Sequence, residues 1–469
     1  MTISLTTFII DLFLLLAASL LAGELASRFG QPALVGQLLV GLLLGPTLIG
    51  PYIGLATLGS DFRSLQFIAT VFVLFVAGLE IVPEDIYRMG LVNLGLGLLL
   101  FAGPFLLGSG VVFLLFPGLP FYTVLFVGLT LSITALPVMG IMLVQFGLAD
   151  RPEGKLLMNL ALINEISAVL VFAVLLQLST GHTSGVLAVG MALGSLAGFL
   201  GVMFGLYLLI TYLERTRIWG RVRVWFAAEW RSKGAGFALL MVLLIGASLF
   251  SQFLNLTYVV GAFYAGVLVT KKTAGPTAHK SISTVFDTIS WGFFIPLFFA
   301  FVGVEMNLRL LGTLLLIVGF AILVLLAVSS KVAVGSFVGW VHDCSRPDML
   351  ATGFLMASRG AVELAMAVIL LQAGVFNTEL FTIVAGVGLV TTILSPIGAL
   401  WAWRSTPASQ ADLYKRAPSL RTRTGRVWRP PPTEWGDLRD LYTFRAPSKT
   451  EEPSVSSPAS RPPLPRERR

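Results

Sequence analysis

The stretch Leu131-Ser132-Ile133-Thr134-Ala135-Leu136-Pro137 lies in the middle of an apolar segment, 120–146, that is long enough to cross a bilayer. A proline inside a helix removes one backbone hydrogen bond and clashes with the preceding turn. The freed carbonyls and the hydroxyls of Ser132 and Thr134 would provide oxygen ligands for a cation site. Irregular backbone at membrane depth survives only inside protein or beside a cavity. An ordinary kink at Pro137 is the alternative interpretation.

The rest of the chain has the composition of a membrane protein. Of its 469 residues, 56% are hydrophobic and 12% are charged, whereas a soluble domain has roughly 25% charged residues. Its apolar runs are continuous, which excludes the alternating strands of a β-barrel. We expect an all-α membrane protein with about 13 transmembrane helices. The expected spans are 6–27, 33–50, 64–82, 91–116, 120–146, 155–178, 185–213, 235–252, 255–270, 288–304, 310–341, 348–374 and 379–403.

Basic residues concentrate in the loops that follow odd-numbered spans, above all in the loop 214–233. The positive-inside rule then places the N-terminus outside and the C-terminus in the cytoplasm. Residues 1–7 carry no basic residue and Asp11 interrupts the first apolar run, so we interpret that run as a retained span. We expect 1–403 to form one multi-pass domain in the cell inner (plasma) membrane.

The segment 404–469 differs sharply from the spans. It holds 14 basic and 7 acidic residues, so its net charge of +7 leaves only +1 of the total of +8 for the remaining chain. Its Pro-, Ser- and Arg-rich composition predicts a disordered, solvated cytoplasmic tail. The more specific alternative is that this tail contacts anionic lipid. It has no nucleotide-binding fingerprint and no nucleic-acid-reading module.

Ionisable side chains inside spans cost about 2.5–3.5 kcal/mol each on insertion scales, so each one requires a reason. Glu165, preceded by Asn164, lies ten residues from Lys155, which is about 15 Å along a helix and near the bilayer midplane. We interpret Asn164 and Glu165 as a site for a proton and a cation. The alternative is a protonated glutamate with a structural role.

Three more charges lie in the later spans. Lys331 is either a supporting charge for the site or a lysine that snorkels towards the surface. Arg359 and Glu363 are four residues apart and face each other on a helix, which favours a structural ion pair. Gly360 between them permits close packing or unwinding.

Nothing in the sequence indicates an enzyme. The three histidines are scattered over loops, and neither a Ser/His/Asp pattern nor a His-Glu-x-x-His pattern occurs. The single cysteine, Cys344, excludes an internal disulfide. We therefore expect no cofactor and no metal beyond a transported monovalent cation.

Six stretches in a fixed order carry a family resemblance over residues 6–403. They are Phe29-Gly30-Gln31-Pro32-Ala33-Leu34-Val35-Gly36 with Gly41-Leu42-Leu43-Leu44-Gly45-Pro46; Leu74-Phe75-Val76-Ala77-Gly78-Leu79-Glu80; Ser132-Ile133-Thr134-Ala135-Leu136-Pro137-Val138; Gly261-Ala262-Phe263-Tyr264-Ala265-Gly266; Pro296-Leu297-Phe298-Phe299-Ala300-Phe301-Val302-Gly303-Val304; and Arg359-Gly360-Ala361-Val362-Glu363-Leu364. The chain resembles the bacterial monovalent cation:proton antiporter-2 family, which includes Na⁺/H⁺ exchangers and Kef-type K⁺ efflux systems.

The resemblance implies inverted repeats with two crossed discontinuous helices, and a core domain that moves against a dimerisation domain. The discontinuous helices would be the fifth and twelfth spans, with their breaks at Pro137 and Gly360. It also implies a homodimer. The paired acidic motif of the family corresponds to Asn164 and Glu165, and its core lysine corresponds to Lys331. The sequence departs from the family pattern twice, with Glu165 in place of an Asp and with Gln37 where many members carry Glu.

These observations predict a secondary active transporter that exchanges Na⁺ or K⁺ for H⁺ by alternating access. Proton and cation would compete for Glu165, and because Asn164 cannot titrate we expect electroneutral 1:1 exchange. Two alternatives stay open at this point: a K⁺ efflux pathway with channel-like behaviour, and a non-transporting membrane scaffold or sensor.

Overall fold

The structure, a computed structural model, describes residues 5–53, 60–81, 89–149, 151–181, 185–214, 235–269, 285–286 and 288–404. These residues are almost entirely helical, and no strand occurs among them. The α-helices, numbered in chain order, are α1 (Leu5–Arg28), α2 (Ala33–Leu44), α3 (Gly50–Ile53), α4 (Ser60–Leu79), α5 (Gly90–Leu115), α6 (Phe121–Ser132), α7 (Leu136–Gln145), α8 (Pro152–Thr180), α9 (Val186–Glu214), α10 (Ala235–Phe253), α11 (Tyr258–Leu268), α12 (Ile295–Glu305), α13 (Leu314–Val341), α14 (Arg346–Met356), α15 (Ala361–Gln372) and α16 (Thr378–Arg404).

The helix lengths agree with a membrane-spanning bundle. Within the described residues, nine segments are long and apolar enough to cross a membrane, and two of them consist of the pairs α6–α7 and α14–α15. Four shorter apolar helices occupy the positions of other expected spans. The prediction of a multi-pass helical membrane protein is confirmed, whereas the count of 13 crossings stays a prediction.

The helices pack in two groups. One group contains α1, α2, α4, α10, α11 and α12, and the other contains α5 to α8 and α13 to α16. Small residues allow the first group to pack very closely: a Cβ on Gly78 of α4 would lie 1.9 Å from the carbonyl oxygen of Phe263 in α11. We call the first group the panel, and the candidate site lies in the second group.

Several boundaries differ from the sequence prediction. The second span ends as a helix at Leu44 rather than near 50, since Gly45 and Pro46 follow. The eleventh begins at Leu314 after a short 3-10 turn, Leu308–Leu311. The tenth is entered through a π-helical turn, Ser290–Phe294. The predicted cytoplasmic loop 214–233, apart from Glu214, and the predicted tail, apart from Arg404, lie outside the described residues.

Candidate cation and proton site

The first helix interruption lies between α6 and α7. Ser132 ends α6, Ile133 and Ala135 have extended backbone, and α7 begins at Leu136. Pro137 belongs to the first turn of α7, where a missing N–H costs nothing. Because Pro137 has no N–H to offer the carbonyl of Ile133, it disfavours a continuous helix at this point.

A second interruption, between Met356 and Ala361, crosses the first. The backbone N–H of Ala135 donates to the carbonyl of Ser358 at 3.1 Å. The hydroxyl of Thr134 donates to the carbonyl of Met356 at 2.7 Å. The two breaks are therefore joined directly through main-chain groups, and they form one structural unit.

Gly360 makes this close crossing possible. A Cβ at its position would lie 2.7 Å from the Cβ of Ala135 and 2.9 Å from Cγ2 of Val138. Carbon atoms in contact normally lie about 3.5–4.0 Å apart. Glycine is therefore required because a side chain would not fit at this position, and not because the backbone conformation is unusual.

The end of α6 leaves three carbonyls without the usual donors four residues ahead. Arg359, which follows the second break, donates from its guanidinium to the carbonyls of Thr130 and Leu131. The ammonium of Lys331 donates to the carbonyl of Ser132. Positive side chains are favourable at a helix C-terminus, so these two cations satisfy and stabilise the broken end of α6.

Asn164 of α8 clamps the extended segment from the side. Its Oδ1 accepts the backbone N–H of Thr134 at 2.8 Å, and its Nδ2 donates to the carbonyl of Ser132 at 3.0 Å. Both ends of the amide are thus used by backbone groups. This pairing fixes the orientation of the amide and the register of α8 against the break.

Glu165, the next residue, is fully buried, with 0% of its surface exposed. Neither of its carboxylate oxygens has a hydrogen bond in the described structure. The backbone N–H of Leu136 interacts with the carboxylate, and it belongs to the N-terminus of α7, where negative charge is favoured. A buried carboxylate without hydrogen bonds is costly unless it holds a proton or a cation.

Lys331 lies in the same unit and does not snorkel. It is fully buried, and besides Ser132 its ammonium donates to Oγ1 of Thr134 at 2.8 Å and to the carbonyl of Leu100 at 3.2 Å. The helical donor for Leu100 would be residue 104, which is a proline without an N–H. Lys331 therefore supplies a hydrogen bond that α5 itself cannot make.

The predicted pair of Arg359 and Glu363 is present, with 3.5 Å between Nη1 and Oε2 and with both side chains buried. The sequence did not predict the bonds of Arg359 to α6, because they depend on the crossing of two distant segments. It also missed Thr392 of α16, whose Oγ1 accepts the N–H of Arg359 at 3.1 Å. No local pattern around Thr392 indicates this contact.

The structure brings together the residues singled out from the sequence: Asn164, Glu165, Ser132, Thr134 and Lys331. Both hydroxyls donate a hydrogen bond within the unit but keep oxygen lone pairs, so their role as cation ligands stays a prediction. The Ser132 hydroxyl donates to the carbonyl of Leu129 at 2.7 Å, and Thr134 is used as described above. The buried hydroxyl of Ser358, by contrast, has no hydrogen bond in the described residues.

The donor set of the candidate site fits a monovalent cation better than a divalent one. The described residues contain no cluster of His, Cys, Asp or Glu that could hold a metal. One carboxylate, main-chain carbonyls and hydroxyls are hard oxygen ligands without the several negative charges that divalent cations prefer. Two interrupted helices that cross beside a buried carboxylate, in a bundle of apolar helices, define the architecture of a secondary transporter.

Comparison with known proteins gives the family. The family model for the transmembrane domain of sodium/hydrogen exchangers matches residues 14–403. The chain belongs to the sodium/hydrogen exchanger family. The fold is also similar to that of the sodium proton antiporter MjNhaP1 from Methanocaldococcus jannaschii, with a TM-score of 0.64 at 18% identity over 85% of this chain and 98% of that one.

Curated relatives are similar over the same region. A Na⁺/H⁺ antiporter of Enterococcus hirae is 26% identical over 83% of this chain and 96% of its own length. The Na⁺/H⁺-K⁺ antiporter GerN of Bacillus cereus is 23% identical over 83% of this chain and 94% of its own length. Cation/H⁺ antiporter 18 of Arabidopsis thaliana is 28% identical over 71% of this chain, but the match spans only 40% of that longer protein.

Proposed function

We propose that this protein exchanges a monovalent cation for protons across a membrane by alternating access. The observation that carries the proposal is the buried Glu165 carboxylate, which has no hydrogen bond to either oxygen and lies where two interrupted helices cross. The names of the relatives as Na⁺/H⁺ and cation/H⁺ antiporters support it.

Competition for one carboxylate couples the two ions. In a low-dielectric environment Glu165 is stable when it carries a proton or when a cation neutralises it. A proton and a dehydrated cation do not occupy the same oxygens together. When the second helix group moves relative to the panel, it carries whichever ion is bound, so each cation that moves one way is exchanged for a proton that moves the other way.

Asn164 gives the proposed stoichiometry. Its amide cannot titrate and is held by Ser132 and Thr134, so Glu165 is the single titrating carboxylate of the pair. Lys331 is occupied by three oxygen acceptors, which favours a lysine that keeps its charge throughout the cycle. We therefore propose electroneutral 1:1 exchange.

The cation is Na⁺ or K⁺. Both bind oxygen ligands, and the relatives include proteins named for each ion. We also propose that the protein lies in the cell inner membrane as a homodimer, with the N-terminus outside and a disordered basic tail, 404–469, in the cytoplasm. The distribution of basic residues supports this orientation.

Substitution of the carboxylate tests the function. Glu165→Gln keeps the size and polarity of the side chain but cannot exchange a proton for a cation. We expect exchange to fall to the leak of empty vesicles. The measurement is cation-driven dissipation of a pH gradient in proteoliposomes, with Na⁺, K⁺ and Li⁺ supplied in turn.

Glu24→Gln is the matched control. Glu24 lies on the surface of α1 in an exposed pair with Arg28 at 3.1 Å, and such pairs contribute about 0–1 kcal/mol. This variant should exchange like the wild type. Wild-type rates in Glu165→Gln would refute the mechanism, and the absence of exchange in the wild type with all three cations would favour a non-transporting role.

A further inference from the structure

A cavity of about 950 Å³ lies at one end of the bundle, away from the helix crossing. One wall comes from the panel, through Arg63 of α4 and Glu305 of α12, and the other from Leu371, Gln372 and Thr378 at the end of α15 and the start of α16. The cavity therefore lies between the two helix groups. The proposed topology places it on the outer face.

Glu305 is the acidic group of this cavity, and it is not satisfied. Its Oε2 is buried and has no hydrogen bond in the described structure. The polar group beside it is the amide of Gln66. Gln66 is fully buried, and both its Oε1 and its Nε2 lack hydrogen bonds as well. Buried polar atoms without close partners require an explanation, and an ion or water between them is one.

The charge next to this pair comes from Arg63, one turn before Gln66 on α4. Its guanidinium interacts electrostatically with Glu305, but no ion pair within 4 Å joins these two described residues. Arg63 therefore weakens the negative potential at the carboxylate without occupying its oxygens. The oxygens stay available to a small cation.

This location is distinct from Glu165. Helix α15 has 12 residues and is therefore about 18 Å long. It begins at the second break and ends at the cavity wall. An ion at Glu305 is thus separated from the helix crossing by most of the length of α15.

We propose that Glu305 and Gln66 form a second, weak binding site for the transported monovalent cation at the outer mouth of the protein, with Arg63 setting its affinity. The site captures cations before they reach Glu165 or after they leave it. Its role in transport rests on the exchange function proposed above, whereas its ability to bind a cation does not.

Two substitutions that change the charge at the cavity in opposite directions test the role of the second site in transport. Glu305→Gln should raise the half-saturating cation concentration by about fivefold, the effect of one unit charge at about 4 Å in water. Arg63→Gln should lower it by a smaller factor, because its guanidinium lies farther from the carboxylate. Maximal rates should stay close to wild type. The measurement is exchange in proteoliposomes at constant ionic strength, with Na⁺ or K⁺ replaced by N-methyl-D-glucamine.

Glu379→Gln is the matched control for surface charge. Glu379 is a half-buried acid in the first turn of α16, on the same face as the cavity but not among the described residues of its wall. It should leave the half-saturating concentration unchanged. Equal effects of Glu305→Gln and Glu379→Gln, or changes of the same sign in Glu305→Gln and Arg63→Gln, would overturn the proposal.

A binding experiment separates the cavity from the exchange function. In a Glu165→Gln background the crossing site is impaired, so stabilisation by NaCl or KCl against N-methyl-D-glucamine chloride reports the cavity. We expect the unfolding midpoint to rise with cation in Glu165→Gln and not in Glu165→Gln/Glu305→Gln. An identical response of the two proteins would refute the second site, even if the wild type does not transport. If the double variant does not fold, the Glu165→Gln/Arg63→Gln protein replaces it. Its unfolding midpoint should rise more with cation than that of Glu165→Gln, and the absence of a larger rise would also refute the second site.

Discussion

At the scale of single residues, the site is organised by hydrogen-bond donors that come from other helices. The last carbonyls of α6 are bonded by Arg359, Lys331 and Asn164, while Thr134 and Ala135 give their own N–H groups to Asn164 and Ser358. Buried backbone groups in native proteins are nearly always paired. These main-chain groups of the break are therefore paired, whereas both carboxylate oxygens of Glu165 have no hydrogen bond in the described structure.

Asn164→Asp tests the clamp. An aspartate keeps an acceptor for the N–H of Thr134 but loses the donor to the carbonyl of Ser132. Loss of a buried partner costs about 1–3 kcal/mol, so we expect a lower unfolding midpoint and slower exchange. Thermal unfolding in detergent and proteoliposome exchange are the measurements.

Asn159→Asp is the control for the clamp. Asn159 lies on the same helix and is fully buried, and neither polar atom of its side chain has a hydrogen bond in the described structure. Both variants place a new carboxyl group inside α8, but only Asn164→Asp removes a bond to the break. If the two variants lose equal stability, the clamp contributes nothing.

At the scale of helices, the crossing depends on how closely two backbones approach. Gly360→Ala places a methyl group 2.7 Å from the Cβ of Ala135. Overpacking of this kind costs about 1–3 kcal/mol, and it pushes apart the two breaks that hold Thr134 and Lys331. We expect a lower unfolding midpoint together with reduced exchange.

Gly110→Ala is the corresponding control for helix packing. Gly110 lies within α5, and nothing lies within 4 Å of a Cβ built on it. Because alanine is favoured over glycine inside helices by about 0.5–1 kcal/mol, this variant should be as stable as the wild type or more stable. A loss of stability as large as that of Gly360→Ala would contradict the steric explanation.

The helix scale also shows what the sequence can predict. Pro137 and the hydroxyls before it indicated the first break, and the spacing of Arg359 and Glu363 indicated their pair, because both patterns are local. The reach of Arg359 to α6 and of Lys331 to Leu100 depends on packing between distant segments. Glu305 was missed because it follows the expected span 288–304 by one residue, where an acid is usually solvated. Pro104 was a usable signal, since it predicts a free carbonyl at Leu100.

At the scale of the whole molecule, the two helix groups differ in which of them contains the helix breaks and Glu165. The panel holds close glycine contacts such as Gly78 against Phe263, and the other group holds both breaks and Glu165. Alternating access by movement of one helix group against the other is compatible with this division. The cavity between the groups necessarily changes shape if one moves against the other.

The net charge moved in one cycle is a property of the whole molecule. In the proposed mechanism Glu165 is the single titrating carboxylate and Lys331 keeps its charge, so that one proton would replace one monovalent cation. We expect the exchange rate to be unaffected by an imposed membrane potential. The potential is set with a permeant anion, so that neither cation gradient changes. A rate that follows the potential would show that Lys331 also releases a proton.

Pro104 has a consequence for how this protein tolerates mutation. The proline leaves the carbonyl of Leu100 without a helical donor, and Lys331 of α13 supplies one. We therefore expect the effects of mutations at residues 104 and 331 to depend on each other. A residue with an N–H at 104 would bond the carbonyl of Leu100 and release one of the bonds that hold Lys331. Loss of Lys331 would leave the carbonyl of Leu100 without a donor unless residue 104 changes as well. During evolution such positions are expected to be exchanged as a pair rather than one at a time.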